Sequence, residues 1–290
     1  MRLNPKYPVY IISKGRWDSR LTVKALTAMG VPFRVVVEPT EYDQYAAVIP
    51  ADQILTLPFH DLGQGSVPAR NWVWDHATAE GHDRHWIMDD NILAFYRLNR
   101  NRKLRISSGN MIRAVEDFVD RYTNVPMAGP HYHTFARARI PYKLPFYLNH
   151  RVYSCILLTN KTDMRWRGIY NEDTDLSLRF LKAGKCTVLF LAFIIHKMAT
   201  MTMKGGNTEM LYKLDRERDG RYLMAESLRR QHPDVVRITR RFGRWQHLVD
   251  YRPFRNNRLI RRADVVLPDA DSPDAVNEYG MRLAHRPKTK

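Results

Sequence analysis

The strongest constraint on the fold of this chain is the alternation that begins at Val9. Val9-Tyr10-Ile11-Ile12 is a short apolar strand, the stretch from Ser19 to Met29 is amphipathic, Gly30 ends it, and Phe33-Arg34-Val35-Val36-Val37 is the next strand. Strands joined by a helix pair in parallel, because the crossover returns the chain to the edge it left. A parallel sheet needs cover on both faces, so this βαβ unit places the chain in the α/β class. The theme repeats with Ile54-Leu55-Thr56-Leu57 as a third strand. Gly63-Gln64-Gly65-Ser66-Val67-Pro68 then opens a helix from Ala69 to Ala79, with Pro68 near its first turn. His85-Trp86-Ile87-Met88 is a further strand, and it runs straight into Asp89-Asp90-Asn91.

The second half of the pattern is less regular. Phe95 to Arg105 reads as a basic loop (Arg97, Arg100, Arg102, Lys103, Arg105), followed by a helix from Asn110 to Tyr122. Residues 126 to 150, with four prolines, read as irregular structure or β-hairpins. A strand over Val152 to Leu158, a helix from Leu176 to Lys182 ended by Gly184, and a strand from Thr187 to Ile195 that delivers His196 at its end complete the expected sheet. Gly205-Gly206-Asn207 reads as a flexible loop. From Val235 to Arg262 there are nine arginines and one acid, Asp250, interleaved with Phe242, Trp245, Tyr251 and Phe254. We divide the chain into a catalytic domain, 1–205, and a basic, partly helical C-terminal extension, 206–290, expected to pack on that domain and contact DNA.

Charge narrows the partner. Against 30 Asp+Glu the 290 residues carry 47 Lys+Arg, a formal net charge of +17, which favours a polyanion, nucleic acid before membrane. No apolar run approaches the roughly 20 residues of a membrane span. The N-terminus has no apolar signal region, so a soluble protein of the cytoplasm is expected, the host cytoplasm if the chain is viral. Cys155 and Cys186 lie in apolar settings and read as buried thiols; there is no zinc pattern.

Four constellations carry chemistry. Asp89-Asp90-Asn91 gathers hard oxygen ligands at the carboxyl end of a strand, where open α/β sheets bind ligands, and suits Mg²⁺ or Mn²⁺ with a phosphate. Such residues also favour plain turns. Ser13-Lys14-Gly15-Arg16, after the first strand, could wrap a nucleotide, and Arg70 at a helix start favours a phosphate. Glu172-Asp173-Thr174-Asp175 places three carboxylates in four residues at a helix start. Helix capping accounts for one or two of them, and crowding suits a general base or a metal site. His196 at a strand end could complete a metal's coordination.

The succession of strand, Asp-Asp-Asn, then Trp166, Gly168, Tyr170, Glu172, Asp173, Asp175, Leu176 and Arg179, then His196, resembles a GT-A glycosyltransferase. More narrowly, Val9 to Arg16, the Asp-Asp-Asn form and Val249-Asp250-Tyr251-x-x-Phe254 resemble the TET-associated glycosyltransferases of bacteriophages, over nearly the whole chain. The GT-A resemblance implies a nucleotide-sugar-binding sheet with helices on both faces. The narrower one implies glycosylation of hydroxymethylated pyrimidines in DNA. The motif is Asp-Asp-Asn rather than Asp-x-Asp, and an amide is a weaker ligand than a carboxylate.

On this resemblance Asp89, Asn91 and His196 would hold Mn²⁺ or Mg²⁺ on the donor diphosphate, with Asp90 near the ribose or sugar. Ser13, Lys14, Gly15, Arg16 and Arg70 would meet the nucleotide, and Glu38, after the second strand, the uracil or ribose. Asp173 is the first choice for base, with Asp175 and Glu172 behind it. The donor would be a UDP-sugar such as UDP-glucose or UDP-GlcNAc, and the acceptor 5-hydroxymethylcytosine in DNA. Arg97, Arg100, Arg102, Arg105, Arg240, Arg241 and Arg244 are the candidate DNA contacts, and Tyr132, Trp166 or Trp245 could stack on a flipped base. Two other readings stand beside this one: a GT-A enzyme acting on a saccharide or lipid, and a nucleic-acid-binding protein with a degenerate site.

Overall fold

The structure is a computed structural model, and it describes residues 3–136, 144–198, 203, 205–206 and 220–266. The expected alternation forms β1 (Val9–Ile12), α1 (Leu21–Met29), β2 (Arg34–Val37), the short α2 (Tyr42–Ala46), β3 (Ile54–Thr56), α3 (Val67–Ala79) and β4 (Arg84–Asp89). The remainder comprises β5 (Ile92–Asn99), β6 (Arg102–Arg105), α4 (Asn110–Val119), β7 (Met127–Tyr132), β8 (Phe146–Leu148), β9 (Cys155–Thr159), α5 (Glu172–Lys182) and β10 (Thr187–Lys197). After these come α6 (Gly220–Gln231), β11 (Val236–Arg241) and β12 (Arg244–Val249).

One ten-stranded sheet holds β3-β2-β1-β4-β9-β7-β10-β5-β6 in that order, with β8 pairing on β10. The first four strands are parallel, as the crossovers require. The sheet beyond them is mixed: β9 enters antiparallel between β4 and β7, and β5 antiparallel beside β10. The expected basic loop at Phe95–Arg105 is instead the β5–β6 hairpin, turned by Arg100 and Asn101 at positive φ. Its tip and flanking strands are crowded with Arg97, Arg100, Arg102, Lys103 and Arg105, and that charge masks the strand pattern. Part of the expected irregular segment is β7 and β8; Arg137 to Lys143 lie outside the described residues.

Strand alternation splits the core in two. Val9, Ile11, Trp86, Met88, Cys155 and Leu157 pack with α1 and α4 on one face. Tyr10, Ile87, Ile156 and Leu158 pack with Val73, Trp74 and Ala77 of α3 and Leu176 and Phe180 of α5 on the other. The interleaving follows from side chains leaving a strand on alternate sides. A third cluster joins Leu178 and Leu181 of α5 to Leu228, Val235, Val236 and Phe254. Cys155 and Cys186 are buried free thiols. Among the described residues no helix is long and apolar enough to cross a membrane.

Candidate active site

Ile12 pairs with Asp89 across β1 and β4, so the turns that follow these strands emerge side by side. There Asp90, buried, accepts from Ser13 Oγ at 2.8 Å and from Arg16 Nη1. Burial pushes the Asp90 carboxyl up and Arg16 opposes the shift. Lys14 Nζ bridges both Glu38 oxygens at 2.8 Å and Asp61 Oδ1 at 2.6 Å. The Gly15 amide donates to Glu41 Oε2 at 2.9 Å. The four residues of this turn and Glu38 therefore form one charged rim beside Asp90. Gly205 and Gly206 close over it: the Gly206 amide donates to Lys14 O at 2.9 Å, and Arg16 Nη2 to Gly205 O at 3.1 Å. A Cβ on Gly205 would stand 2.5 Å from Gly15 O, so close approach explains a glycine pair expected to be a flexible loop. Asn207 lies outside the described residues.

Asp89 sits between two cations. Arg70 Nη2 donates to Oδ1 at 2.9 Å and Lys197 Nζ to Oδ2 at 2.8 Å. Burial would raise the Asp89 carboxyl, but Lys197 and Arg70 hold it well below the usual carboxylate range. Burial likewise works against the Lys197 ammonium, and Asp89 with Tyr132 outweighs it and raises its pKa. Lys197 also donates to Ser154 Oγ at 2.8 Å, and that hydroxyl lies 2.5 Å from Tyr132 Oη. Ser154 holds φ of 64°, a conformation rare for a residue with a side chain and typical of constrained functional positions. Arg70 is 4% exposed and has its guanidinium 4.9 Å above the Trp166 ring. Arg70 Nε donates to Ser66 Oγ at 3.1 Å, whereas Nη1 is buried with no partner among the described residues. A buried donor left unmet is costly and marks a place for a ligand oxygen.

The three acids of α5 separate into three environments. Glu172 accepts from Ser66 Oγ at 3.0 Å and lies 3.4 Å from Arg70 Nε; burial raises its carboxyl, which Arg70 partly offsets. Asp175 is fully buried and saturated by Arg167, by Arg179 Nε at 2.8 Å and by His232 Nε2 at 2.8 Å. Burial raises the Asp175 carboxyl, but His232, Arg167 and Arg179 outweigh that and lower it. It therefore ties α5 to the chain after α6. Asp173 receives only the Thr174 amide at 2.6 Å and the Thr174 hydroxyl at 3.1 Å, both on Oδ1, and makes no ion pair among the described residues. Its charge is felt at Arg70 on one side and at Arg151, Tyr153, His247 and Tyr251 on the other. Asp173 thus lies within electrostatic reach of both the cationic Arg70 corner and a second wall.

Apart from Tyr132, expected as a stacking face, that wall is built from residues the sequence reading did not single out. Tyr153 packs 4.1 Å from Tyr132 between ring centroids, and its hydroxyl lies 2.5 Å from His131 Nδ1. Arg151 lies over the Tyr153 ring at 5.1 Å and donates to His247 Nε2 of β12 at 3.2 Å. Arginine can only donate, so this His247 nitrogen is unprotonated, and burial with Arg151 lowers the His247 pKa to about 4.

The expected metal ligands do not converge. Among the described residues no group of three His, Cys, Asp or Glu is placed to hold a metal ion. β10 continues to Lys197, and alternation sends neighbouring side chains to opposite faces; His196 stacks on His133 at 4.9 Å while Lys197 reaches Asp89. Asn91 is buried with Oδ1 unpartnered among the described residues, a single oxygen next in sequence to carboxylates already paired with cations. This donor set does not fit a divalent ion, and no chemical step is assigned to one. Trp166, at 2% exposure, is core packing beneath Arg70, and Trp245 stands edge-on to Tyr222. All seven candidate DNA arginines are exposed, Arg97, Arg100, Arg102 and Arg105 on the β5–β6 hairpin and Arg240, Arg241 and Arg244 on the β11–β12 hairpin.

Comparison with known proteins places this arrangement. No curated protein matches the sequence significantly. A solved structure from Desulfovibrio desulfuricans G20, described as a nucleotide-diphospho-sugar transferase, is similar at 11% identity and a TM-score of 0.40, over 72% of this chain and 87% of that one. Residues 7–206 match the sequence profile of the TET-associated glycosyltransferases, a span that contains every strand of the large sheet and all the carboxylates described above. The chain belongs to the TET-associated glycosyltransferase family.

Proposed function

We propose that this glycosyltransferase moves a sugar from a UDP-sugar, UDP-glucose or UDP-GlcNAc, onto the hydroxyl of 5-hydroxymethylcytosine in DNA. The observation that carries the reading is the pairing of the Arg70–Asp89–Lys197 corner with the Arg151–His247 wall, the Asp173 carboxylate lying within electrostatic reach of both. The diphosphate belongs at the first. Arg70 Nη1 has no partner there among the described residues, and Lys197 is a second cation able to turn from Asp89 to a phosphate oxygen. The uridine belongs against the Ser13–Arg16 turn, with Lys14 and Glu38 at its polar edge. The acceptor belongs at the second wall, where Tyr132 and Tyr153 offer ring faces.

The Asp173 carboxylate takes the proton of the hydroxymethyl group as its oxygen bonds to the anomeric carbon. The bond from that carbon to the diphosphate breaks, and UDP leaves with its new charge against Arg70 and Lys197. Glu172 and Asp175, already engaged by Arg70 and by Arg167, Arg179 and His232, act as positioning residues.

The direct test is to incubate the protein with hydroxymethylated DNA and a panel of nucleotide-sugars, digest to nucleosides and weigh them. The expected product is 5-hydroxymethyldeoxycytidine carrying one added sugar. Transfer to a saccharide or lipid with none to DNA would overturn the acceptor assignment. DNA binding without any turnover of nucleotide-sugar would overturn the enzymatic one.

A further inference from the structure

The hairpin of β11 and β12 is turned by two residues, Phe242 and Gly243, with Arg241 paired directly to Arg244. Both turn residues have positive φ, 52° and 70°, the signature of a type I′ turn. That turn favours Asn, Asp or Gly at its first position, because a left-handed backbone crowds any larger side chain. Phe242 is neither small nor polar, and it is 93% exposed, the most exposed large hydrophobic among the described residues. Exposure of one apolar ring is ordinary by itself, but a ring that also strains its turn does nothing for the stability of the fold, and the strain points to a use outside the chain.

Its surroundings identify the partner. Arg240, Arg241 and Arg244 flank the tip and are exposed. Behind them Arg240 lies 5.9 Å from the Trp245 ring centroid, and Trp245 stands 5.3 Å from Tyr222 of α6, so the base of the hairpin is held by aromatic packing. The same strand carries His247, bonded to Arg151, at which the charge of Asp173 is felt. From Phe242 to His247 is five residues of strand, about 17 Å at roughly 3.4 Å per residue. An apolar tip ringed by cations, a short strand away from the reacting carboxylate, is complementary to a stacked and charged polymer.

We infer that Phe242 is a wedge that enters duplex DNA beside the acceptor nucleotide and fills the gap left when that base turns out toward Asp173, while Arg240, Arg241 and Arg244 hold the neighbouring phosphates. This rests on the DNA acceptor proposed above. A stacked base cannot bring its hydroxymethyl group to a carboxylate inside a pocket, and an inserted ring replaces part of the stacking lost when the base leaves.

The test uses the full chain, a duplex with one 5-hydroxymethylcytosine next to 2-aminopurine, and the same strand alone. Phe242→Asn suits the turn better than phenylalanine, so it keeps the hairpin folded; Phe242→Ala and Phe242→Trp accompany it. The expected result is a tenfold or greater loss of kcat/KM on the duplex for the Asn and Ala variants, with single-strand transfer within twofold of the parent. Phe242→Trp retains duplex transfer, and the 2-aminopurine brightening on binding disappears only in the Asn and Ala variants. Unchanged duplex transfer by Phe242→Asn, or equal losses on both substrates, would overturn the wedge. Failure of the parent protein to modify either DNA would instead overturn the acceptor reading beneath it.

Discussion

Lys197 is the residue whose placement most alters the chemistry expected of this site. It puts a covalently attached ammonium 2.8 Å from Asp89, opposite Arg70, where charge on a leaving diphosphate would develop. UDP should therefore bind measurably in EDTA, and Lys197→Ala should weaken that binding roughly tenfold to a hundredfold, the range for a charge-assisted bond. Calorimetry checks this, and UDP binding by the parent protein only after Mn²⁺ is added would refute it. The acids of α5 separate in the same way. Asp173→Asn should lower kcat by about 10² with UDP affinity kept, because it removes basicity and little else. Asp175→Asn should instead destabilise the fold by about 3 kcal/mol, since it disrupts a buried carboxylate shared by Arg167, Arg179 and His232. Urea unfolding beside steady-state kinetics distinguishes the two, and a purely kinetic effect of Asp175→Asn would reverse their roles. Asp173 and Asp175 are two positions apart, so on a helix they point to nearly opposite sides. Their sequence spacing shows that, but not which side faces the site.

At the scale of elements, the C-terminal arginines act as a hairpin held against the sheet domain. His232 bonds Asp175, Arg151 bonds His247, and Asn149 Nδ2 donates to the carbonyls of Phe254 and Asn257 at 2.8 and 2.9 Å. Neutralising Arg240, Arg241 and Arg244 together should weaken DNA binding and reduce its salt slope by about three units, one per phosphate contact. Donor affinity should be unchanged, because the donor corner is built from β1, β4, α3 and β10. A salt titration with an unaltered slope would shift the DNA surface to the β5–β6 hairpin, where Arg97, Arg100, Arg102 and Arg105 are equally exposed. That hairpin was hidden in the sequence because four arginines and a lysine crowd positions 97–105, which reads as loop when strand periodicity is judged by apolar residues alone.

Across the whole molecule, one buried histidine, His85, and two half-buried ones, His131 and His247, set the response to acid. Burial lowers the pKa of His85 to about 4, and burial with Arg151 lowers those of His131 and His247 to about 4. Below their ordinary 6.5 the unfolded chain takes up protons that the folded chain refuses, so stability is full above that pH and falls toward pH 4. His85 alone accounts for on the order of 3 kcal/mol of this loss. Glu116, pushed up to about 7 by burial, acts oppositely: its contribution is present below the ordinary carboxylate range and is lost as pH rises through 7. His133 and His150 are lowered in the same sense as these histidines, and Glu41, Asp90 and Glu172 are raised like Glu116. The histidines dominate because their ordinary pKa lies inside the window, so urea midpoints should fall steadily from pH 7 to pH 4.5. A flat or rising series would contradict the neutral burial of these histidines.

The parallel quartet β3-β2-β1-β4, the helices between its strands and the carboxylates at its carboxyl ends were legible in the chain alone. Each depends on local properties, namely hydrophobic period, glycine and proline punctuation, and acids at a strand end. The antiparallel insertion of β9 was not legible, because the period of a strand says nothing about its direction. Nor was the placement of Lys197, rather than His196, against Asp89, or the burial of Asp175 among Arg167, Arg179 and His232. Those depend on the phase of an alternation or a helical rotation relative to the site, and phase is fixed only when the two cores on either side of the sheet pack.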